Sequence, residues 1–570
     1  ISDLTYHALV KTLQLKLPKL ESILTFRKKL DLMNVPIENE FGYYIKVRPK
    51  LTSIIENLIK VRGVDEVEKI IKIKLCGDGT QCGKFKKLFN FNFSVLNESI
   101  CKSAKGHYTI GVFEITNENY KELSVCLKEI MEEMKTIKEI EIDGRTYEIK
   151  MYMGGDLKFL ACVYGINAAN SLHPCLWCKC GKSEFDKLDK DWSISEPSRG
   201  ARTLEEATKI NERAKNDKLN KFGYINYPIV DFIPFSMCVV DMLHLFMRIC
   251  DKLFELLMCK IRAMDCVEAE AEAEVEEKMM AADEIKMEPE EMLAGSEQIE
   301  SFANEEDAII IEDSDAEDMA DLPDEELIKV EIDGSSDGED MWRTTELKNF
   351  PHLARFVRHI NKVLGIRKPF YFKDKKPFLV DLSGQRKIKF LENINLVEVF
   401  PEVEKIILIN KVRIYFTCIH SSSCFRFFNL NFKFFSSLKI WRDFYSLYTD
   451  VRLNLIDHPT IRIRAKEWGK LFVSVYSAKH VTPYIHIFIF HLCQFNELHF
   501  DVNSFNMQGL ERLNEMTTRQ YFGATNKREK EFLRQILNKR NRIEYLSSKY
   551  FIVTSLSLIH ISEPTRLLRS

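Results

Sequence analysis

Hydrophobic and polar positions alternate in three separate runs between residues 67 and 115. They are Lys69–Cys76 (KIIKIKLC), Leu88–Val95 (LFNFNFSV) and His107–Ile115 (HYTIGVFEI). A period of two is the mark of a half-buried strand. The period then changes. Tyr120, Leu123, Leu127, Ile130 and Met134 recur at helical spacing and predict a helix over Glu118–Thr136. Lys138–Met153 returns to alternation and predicts a hairpin that turns at Asp143-Gly144, a dipeptide suited to a two-residue turn. Its second strand, Tyr147–Met153, leads through Gly154 and Gly155 to Asp156.

Three strands, a helix and a strand ending at an acid is the order of a ribonuclease-H-like fold. The predicted class is α/β: an RNase H-like mixed sheet interrupted by a large helical insertion. Residues 1–66 read as an N-terminal helical segment punctuated by Pro36 and Pro49, and residues 67–180 as the first part of the core. Because the first residue is Ile1 and not Met, the chain is expected to be a fragment. Residues 181–266 read as the first part of the helical insertion, with the strongest apolar run at Ser236–Met258. Residues 267–340 form an acidic linker, and 341–470 resume helical patterning as the second part of the insertion. Residues 471–550 complete the core with the apolar run YIHIFIFHLC and a helix from near Met507. Tyr415–Phe435 is crowded with Phe, Ser and Asn and has the character of retained intron. Leu556–Arg566 reads as translated sequencing adapter, so 556–570 is set aside.

Charge changes this picture. The net charge of −3 conceals a linker, 267–340, with 30 acidic and three basic residues. The other 496 residues carry 79 basic and 55 acidic side chains, a net of +24, which suits a partner rich in phosphates. The linker cannot bury enough apolar surface to fold and is expected to be disordered. Within it, Ile285-Lys286-Met287-Glu288 and Ile328-Lys329-Val330-Glu331 have the form used for SUMO conjugation, and Ile309–Asp315 that of a SUMO-binding strand. No run of about 18 residues is apolar and uncharged, so no membrane span is expected, and no signal peptide is apparent. The 15 scattered cysteines point to reduced thiols or metal ligation, and the expected location is the nucleus.

Two constellations carry candidate chemistry. Asp78 and Asp156 read as strand-end acids of the kind that bind metal for phosphoryl transfer, although Asp beside Gly is also an ordinary turn residue. Cys175 and Cys178 are half of a tetrahedral zinc site; His486 and His491, five apart, have the spacing of the other half, or of two core histidines. The helix MQGLERLNEMTTRQYF offers Glu511, with Glu515 one turn on as its competitor. Cys418, His420 and Cys424 are too poorly spaced to make a convincing metal site.

Asp156 stands 19 residues before Cys175 and 22 before Cys178, and His486 and His491 stand 25 and 20 before Glu511. These offsets resemble those in the catalytic core of the V(D)J recombinase large subunit and the Transib-type transposases. Val240-Asp241-Met242-Leu243-His244 is similar to that family's Asp-x-Leu-His stretch, and QGLERLNEMTTRQYF to its glutamate helix. The hAT transposases share the acids, the helical insertion and a cysteine motif. The resemblance implies a DDE recombinase core that cleaves and joins DNA strands. Asp78, Asp156 and Glu511 would bind catalytic Mg²⁺ or Mn²⁺, and Cys175, Cys178, His486 and His491 a structural Zn²⁺. Double-stranded DNA, a second copy of the chain and SUMO are the expected partners. The sequence departs from the family in the acidic linker and in showing no N-terminal DNA-binding module. Two alternatives stand beside this reading: a domesticated, non-catalytic DNA-binding or chromatin protein, and a structural zinc-containing interaction module.

Overall fold

The computed structural model describes Thr12 and residues 18–84, 86–214, 222–284, 350–366, 370–373, 376–379, 382–393, 422–499 and 501–549. The three SUMO-type motifs, Cys418 and His420, and the 556–570 tail lie outside the described residues, as does the acidic linker beyond Glu284. The chain divides into two compact units. The first comprises Ile1–Leu256, Asp381–Ile394 and Lys433–Ser570; the second comprises Leu257–Val380 and Asn395–Phe432.

The chain opens with α1 (Leu20–Met33), β1 (Ile37–Glu38), β2 (Gly42–Tyr44) and α2 (Val47–Arg62). Then come β3 (Ile70–Cys82), β4 (Lys86–Val95), β5 (Tyr108–Ile115), α3 (Tyr120–Thr136), β6 (Glu139–Ile142), β7 (Arg145–Gly154) and α4 (Leu157–Val163). These seven strands make one mixed sheet in the order β1-β2-β5-β4-β3-β7-β6. Neighbouring strands are antiparallel except β3 and β7, which run parallel with Cys76 beside Gly154. The β6–β7 turn falls at Asp143-Gly144, both at positive φ (50° and 75°), the backbone that this dipeptide favours.

Expectations for residues 1–66 and for the end of β3 need correction. Residues 1–66 are not wholly helical, because residues 37–44 form β1 and β2 and extend the sheet beyond β5. The Asn39 side chain accepts hydrogen bonds from the Phe41 and Gly42 amides, turning the chain there. β3 also does not end at Cys76. It runs through Gly77-Asp78-Gly79 to Cys82, so Asp78 lies within a strand and not in a turn. The ladder with β4 continues through this segment, with Asp78 opposite Asn90 and Cys82 opposite Lys86, and a glycine at 77 leaves room for two rings. A Cβ on Gly77 would sit 2.6 Å from the Phe89 ring and 2.9 Å from that of Phe159, two side chains that meet over this position.

Among the described residues, six α-helices follow before the last part of the chain: α5 (Leu204–Ala214), α6 (Met242–Glu284), α7 (Pro351–Leu364), α8 (Gly384–Asn393), α9 (Ser422–Arg452) and α10 (His458–Tyr476). A two-stranded hairpin, β8 (Phe370–Lys373) with β9 (Lys376–Leu379), interrupts the stretch expected to be helical. α6 also carries helix past residue 267, into the beginning of the acidic stretch. The second unit is built in part by α7, which buries Leu353, Phe356 and Ile360 and whose first amides, of His352 and Leu353, are capped by Asp265. Then come α11 (Pro483–His486), a π-helical turn (Ile487–His491), α12 (Leu492–His499), α13 (Gln508–Ala524) and α14 (Glu531–Lys549). In the first unit, Phe444, Trp468 and Phe488 interlock α9, α10 and the π turn, with ring centroids 5.0–6.1 Å apart. α13 and α14 cover one face of the sheet. Phe532, Leu533, Ile536 and Leu537 of α14 are buried against Tyr43, Leu88 and Val112, each burial worth roughly 1.5–3 kcal/mol.

The packing account of the Gly-Asp-Gly segment makes a specific prediction. Gly77→Ala should lower stability by about 1–3 kcal/mol through overpacking. Gly79→Ala, whose Cβ would find its nearest neighbour at 3.5 Å, should be nearly neutral. Urea unfolding of both variants checks this. Equal losses would mean that both glycines serve the backbone and not the Phe89–Phe159 contact.

Candidate functional site

Asp78 and Asp156 each lie two residues beyond the paired Cys76 and Gly154 of two parallel strands. That equal offset brings the acids to the same edge of the sheet. Asp156 is the N-cap of α4, its Oδ1 accepting from the Phe159 amide at 2.7 Å, so its carboxylate is fixed at the helix start.

Glu511 comes to this edge on α13, which lies along β3. Leu510 packs with Cys76, Asn514 bonds Asp78, and Thr518 meets Thr80 at 3.3 Å. Four helical residues advance about 6 Å and two strand residues about 6.6 Å, so the two elements stay in step. Glu511 sits in the first turn of α13, half exposed, on the side of the acids. Glu515 points elsewhere and is held between Arg512 and Arg519 at 2.5 and 2.6 Å. The structure thus separates the two glutamates that the sequence left in competition.

The start of α13 is tied down by Asp241, buried at the start of α6. Its carboxylate accepts from the Met507 amide at 2.9 Å, from the Leu243 and His244 amides at 3.1 Å, and from His244 Nδ1 at 2.5 Å. His244 in turn places Nε2 3.7 Å from Glu511. Burial alone would lower the His244 pKa, but the bond to Asp241 and the surrounding carboxylates push it up to about 9. From the sheet, the buried Lys74 donates to the carbonyls of Phe505 and Asn506, just before α13.

Sequence reasoning missed a fourth acid. Glu118 precedes α3 and carries no motif. Its Oε2 comes within 3.5 Å of the position a Cβ on Gly79 would take, and its Oε1 is buried without a hydrogen-bond partner. Asn119 caps α3 next to it, so Glu118 is left outside the helix. Burial, then Glu511, Asp156 and Glu118, push Asp78 up to about 8; burial, then Asp156, push Glu118 up to about 7. Asp78 and Glu118, which disfavour their own ionisation, the latter with an orphaned oxygen, are oxygen donors of the kind a divalent cation takes. The acids are not drawn together as tightly as assembled ligands. Among the described residues, the one group close enough to hold an ion as it stands is the Cys/His set.

Cys175, Cys178, His486 and His491 are all buried, with their ligand atoms within 4.8 Å of one another. Cys175 Sγ is 3.4 Å from His491 Nε2, Cys178 Sγ is 3.3 Å from His486 Nε2, and the two Nε2 atoms are 3.2 Å apart. Tetrahedral zinc, with Zn–N about 2.0–2.1 Å and Zn–S about 2.3 Å, sets edges of about 3.6 Å for S···N and 3.3 Å for N···N. The cluster therefore can hold a metal such as zinc with little movement. Two local devices shape it. In an α-helix, residues five apart point roughly 140° away from each other. The π turn Ile487–His491 bonds i to i+5 and brings both imidazoles to one side. On the cysteine side, the buried Arg202 donates to the carbonyls of Cys175, Phe222 and His173 and holds the loop closed.

Purified protein should contain about one zinc per chain by elemental analysis. Cys175→Ser and His491→Ala should each lose it and melt earlier; a stable protein without zinc would count against the assignment. The acidic centre gives a pH prediction. Asp78 and Glu118 have folded pKa values above their unfolded ones, so between about pH 4 and 8 the native state binds more protons than the unfolded state. Their contribution is then greatest at low pH and is lost as pH rises through about 8. In metal-free buffer, the melting temperature should fall across this range, and Asp78→Asn should flatten the fall. An unchanged slope in that variant would remove Asp78 as its source.

In comparisons with known proteins, no family model matches the chain and no curated protein matches it.

Proposed function

We propose that this chain is the core of a transposon-derived DDE recombinase or transposase that cleaves and transfers strands of double-stranded DNA in the nucleus. The observation that carries the reading is the placing of Asp78, within β3, and Asp156, two residues past the last β7 residue paired to β3, beneath the Glu511 helix. Three features support it further. The order β5-β4-β3-β7, three antiparallel strands with β7 parallel to β3, is compatible with the central part of an RNase H-like sheet, although β6 joins antiparallel to β7. The Asp241–His244 stretch, singled out in the sequence by its likeness to the recombinase family, lies against Glu511. The Cys/His cluster joins the segment after Asp156 to the segment before Glu511.

In this reading Asp78, Asp156, Glu511 and Glu118 would hold Mg²⁺ or Mn²⁺, which supplies activation of water and neutralisation of charge on the scissile phosphate. Lys87 and Lys158, whose charges act on Glu118, and Arg512, next to Glu511 in sequence, would take DNA phosphates near the acids. Asp241 orients His244 so that Nε2 lies on the Glu511 side, where it would meet a phosphate bound beside that acid. Hydrolysis of one strand frees a 3′-hydroxyl. That hydroxyl then attacks the opposite phosphodiester in line, forming one P–O bond as the other breaks and closing a hairpin.

The wider spacing of the acids, compared with the Cys/His set, favours a second reading: a domesticated DNA-binding protein that no longer cuts. Nicking of plasmid DNA in Mg²⁺ or Mn²⁺ separates the two. Asp78→Ala, Asp156→Ala and Glu511→Ala should each abolish nicking, while salt-sensitive DNA binding stays within about threefold. Glu515→Ala should nick normally. Wild-type protein that binds DNA but never nicks it would establish the second reading.

A further inference from the structure

We propose that Asn514 is a positioning residue that presents Asp78 to a divalent cation, and that Asn90 sets the orientation of Asn514. This rests on the metal-binding reading of the acidic centre given above. Asn514 lies three residues after Glu511, on the face of α13 that packs on the sheet, and is 4% exposed. Its Nδ2 donates to Asp78 Oδ2 at 2.5 Å, and its Oδ1 accepts from Asn90 Nδ2 at 2.7 Å. Asn90 lies directly opposite Asp78 in the β3–β4 ladder and is 1% exposed.

An asparagine amide has one end that only donates and one that only accepts. Because Asn90 presents an N–H, it must face the oxygen end of Asn514. The nitrogen end is thereby left for Asp78. One oxygen of Asp78 is held by a hydrogen bond and the other remains available as a ligand. Without that bond the carboxylate would turn away from Asp156, Glu118 and Glu511, the like charges around it. On this face Leu510 and Leu513 precede Asn514 and pack with Cys76, and Thr517 and Thr518 follow it. Both ends of this buried amide are used in hydrogen bonds, which is the reason an amide suits the position.

The experiment is titration of the whole, zinc-loaded chain with Mn²⁺, followed by calorimetry and by loss of the free-ion signal in electron paramagnetic resonance. Asp78→Asn identifies the binding that belongs to the acidic centre. Asn514→Leu should weaken that binding about tenfold, as expected for loss of a hydrogen bond to a charged group. Asn90→Leu should weaken it less. Asn90→Leu with Asn514→Leu should be no worse than Asn514→Leu alone, because both act through one carboxylate. A merely structural role would lower the melting temperature and leave Mn²⁺ affinity unchanged. If Asn514→Leu fails to fold, the Asn90→Leu titration decides alone, and an unshifted curve overturns the proposal. Wild-type affinity in a folded Asn514→Leu also overturns it while leaving the metal-binding reading intact. No Asp78-dependent Mn²⁺ binding in the wild type would overturn both.

Discussion

The contact between β3 and α13 is the constraint on which the acidic centre depends. A strand and a helix laid side by side stay in step only if two residues of one advance as far as four of the other, which ordinary geometry provides. Cys76, Asp78 and Thr80 then meet Leu510, Asn514 and Thr518 in turn. A slip of one residue on α13 would rotate Glu511 away from the acids by about 100°. Much of the surrounding structure fixes where this helix begins. Asp241 holds the Met507 amide, Lys74 holds the carbonyls of Phe505 and Asn506, and Arg540 donates to the Leu513 carbonyl and the Thr517 hydroxyl. Asp78 and Glu511 are separated by most of the chain, so closing that loop costs entropy that grows only slowly with its length. Accuracy is the harder requirement, and buried polar contacts supply it because each has few alternative partners.

The same edge of the sheet carries opposing electrostatic demands. Asp78, Asp156, Glu118 and Glu511 repel one another, and burial disfavours the charge on Asp78 and Glu118. His244 offsets part of this, lowering the tendency of Glu511 to take up a proton, and it does so because Asp241 keeps the imidazole protonated. Nearby cationic side chains offset the rest only partly. Destabilisation of this kind is useful where a site must gain a cation to become active, since binding then relieves it. The Cys/His cluster sits at the opposite extreme. Four buried ligand atoms lie near tetrahedral spacing, in a pocket closed by Arg202 and by the ring of Phe185 stacked on His486.

Much of the framework was legible in the sequence because alternation and helical spacing are local signals. The β3, β4, β5, α3, β6, β7 succession and the Asp143-Gly144 turn follow from them directly. The failures arose where tertiary contacts decide. Gly77-Asp78-Gly79 has the composition of a turn, yet pairing with β4 keeps it strand, and Gly77 leaves the space that Phe89 and Phe159 need. Residues 37–44 are too short to show a period, and only pairing with β5 makes them strands. Asp156 could be placed because it follows a strand and opens a helix. Glu118 could not, since a single acid before a helix is ordinary, and its significance comes from the chain that folds back against it. The His486–His491 spacing was visible, but not the π turn that makes five residues an effective interval. Asn514 left one faint trace, its position three residues beyond Glu511 and on the same face.

Diffraction from crystals grown with Mn²⁺, recorded at the manganese absorption edge, tests the central claim most directly. The account predicts an anomalous peak at coordination distance from carboxylate oxygens of Asp78 and Asp156, with Glu511 turned toward it. A structure with Mn²⁺ present but no peak at these acids would contradict the account.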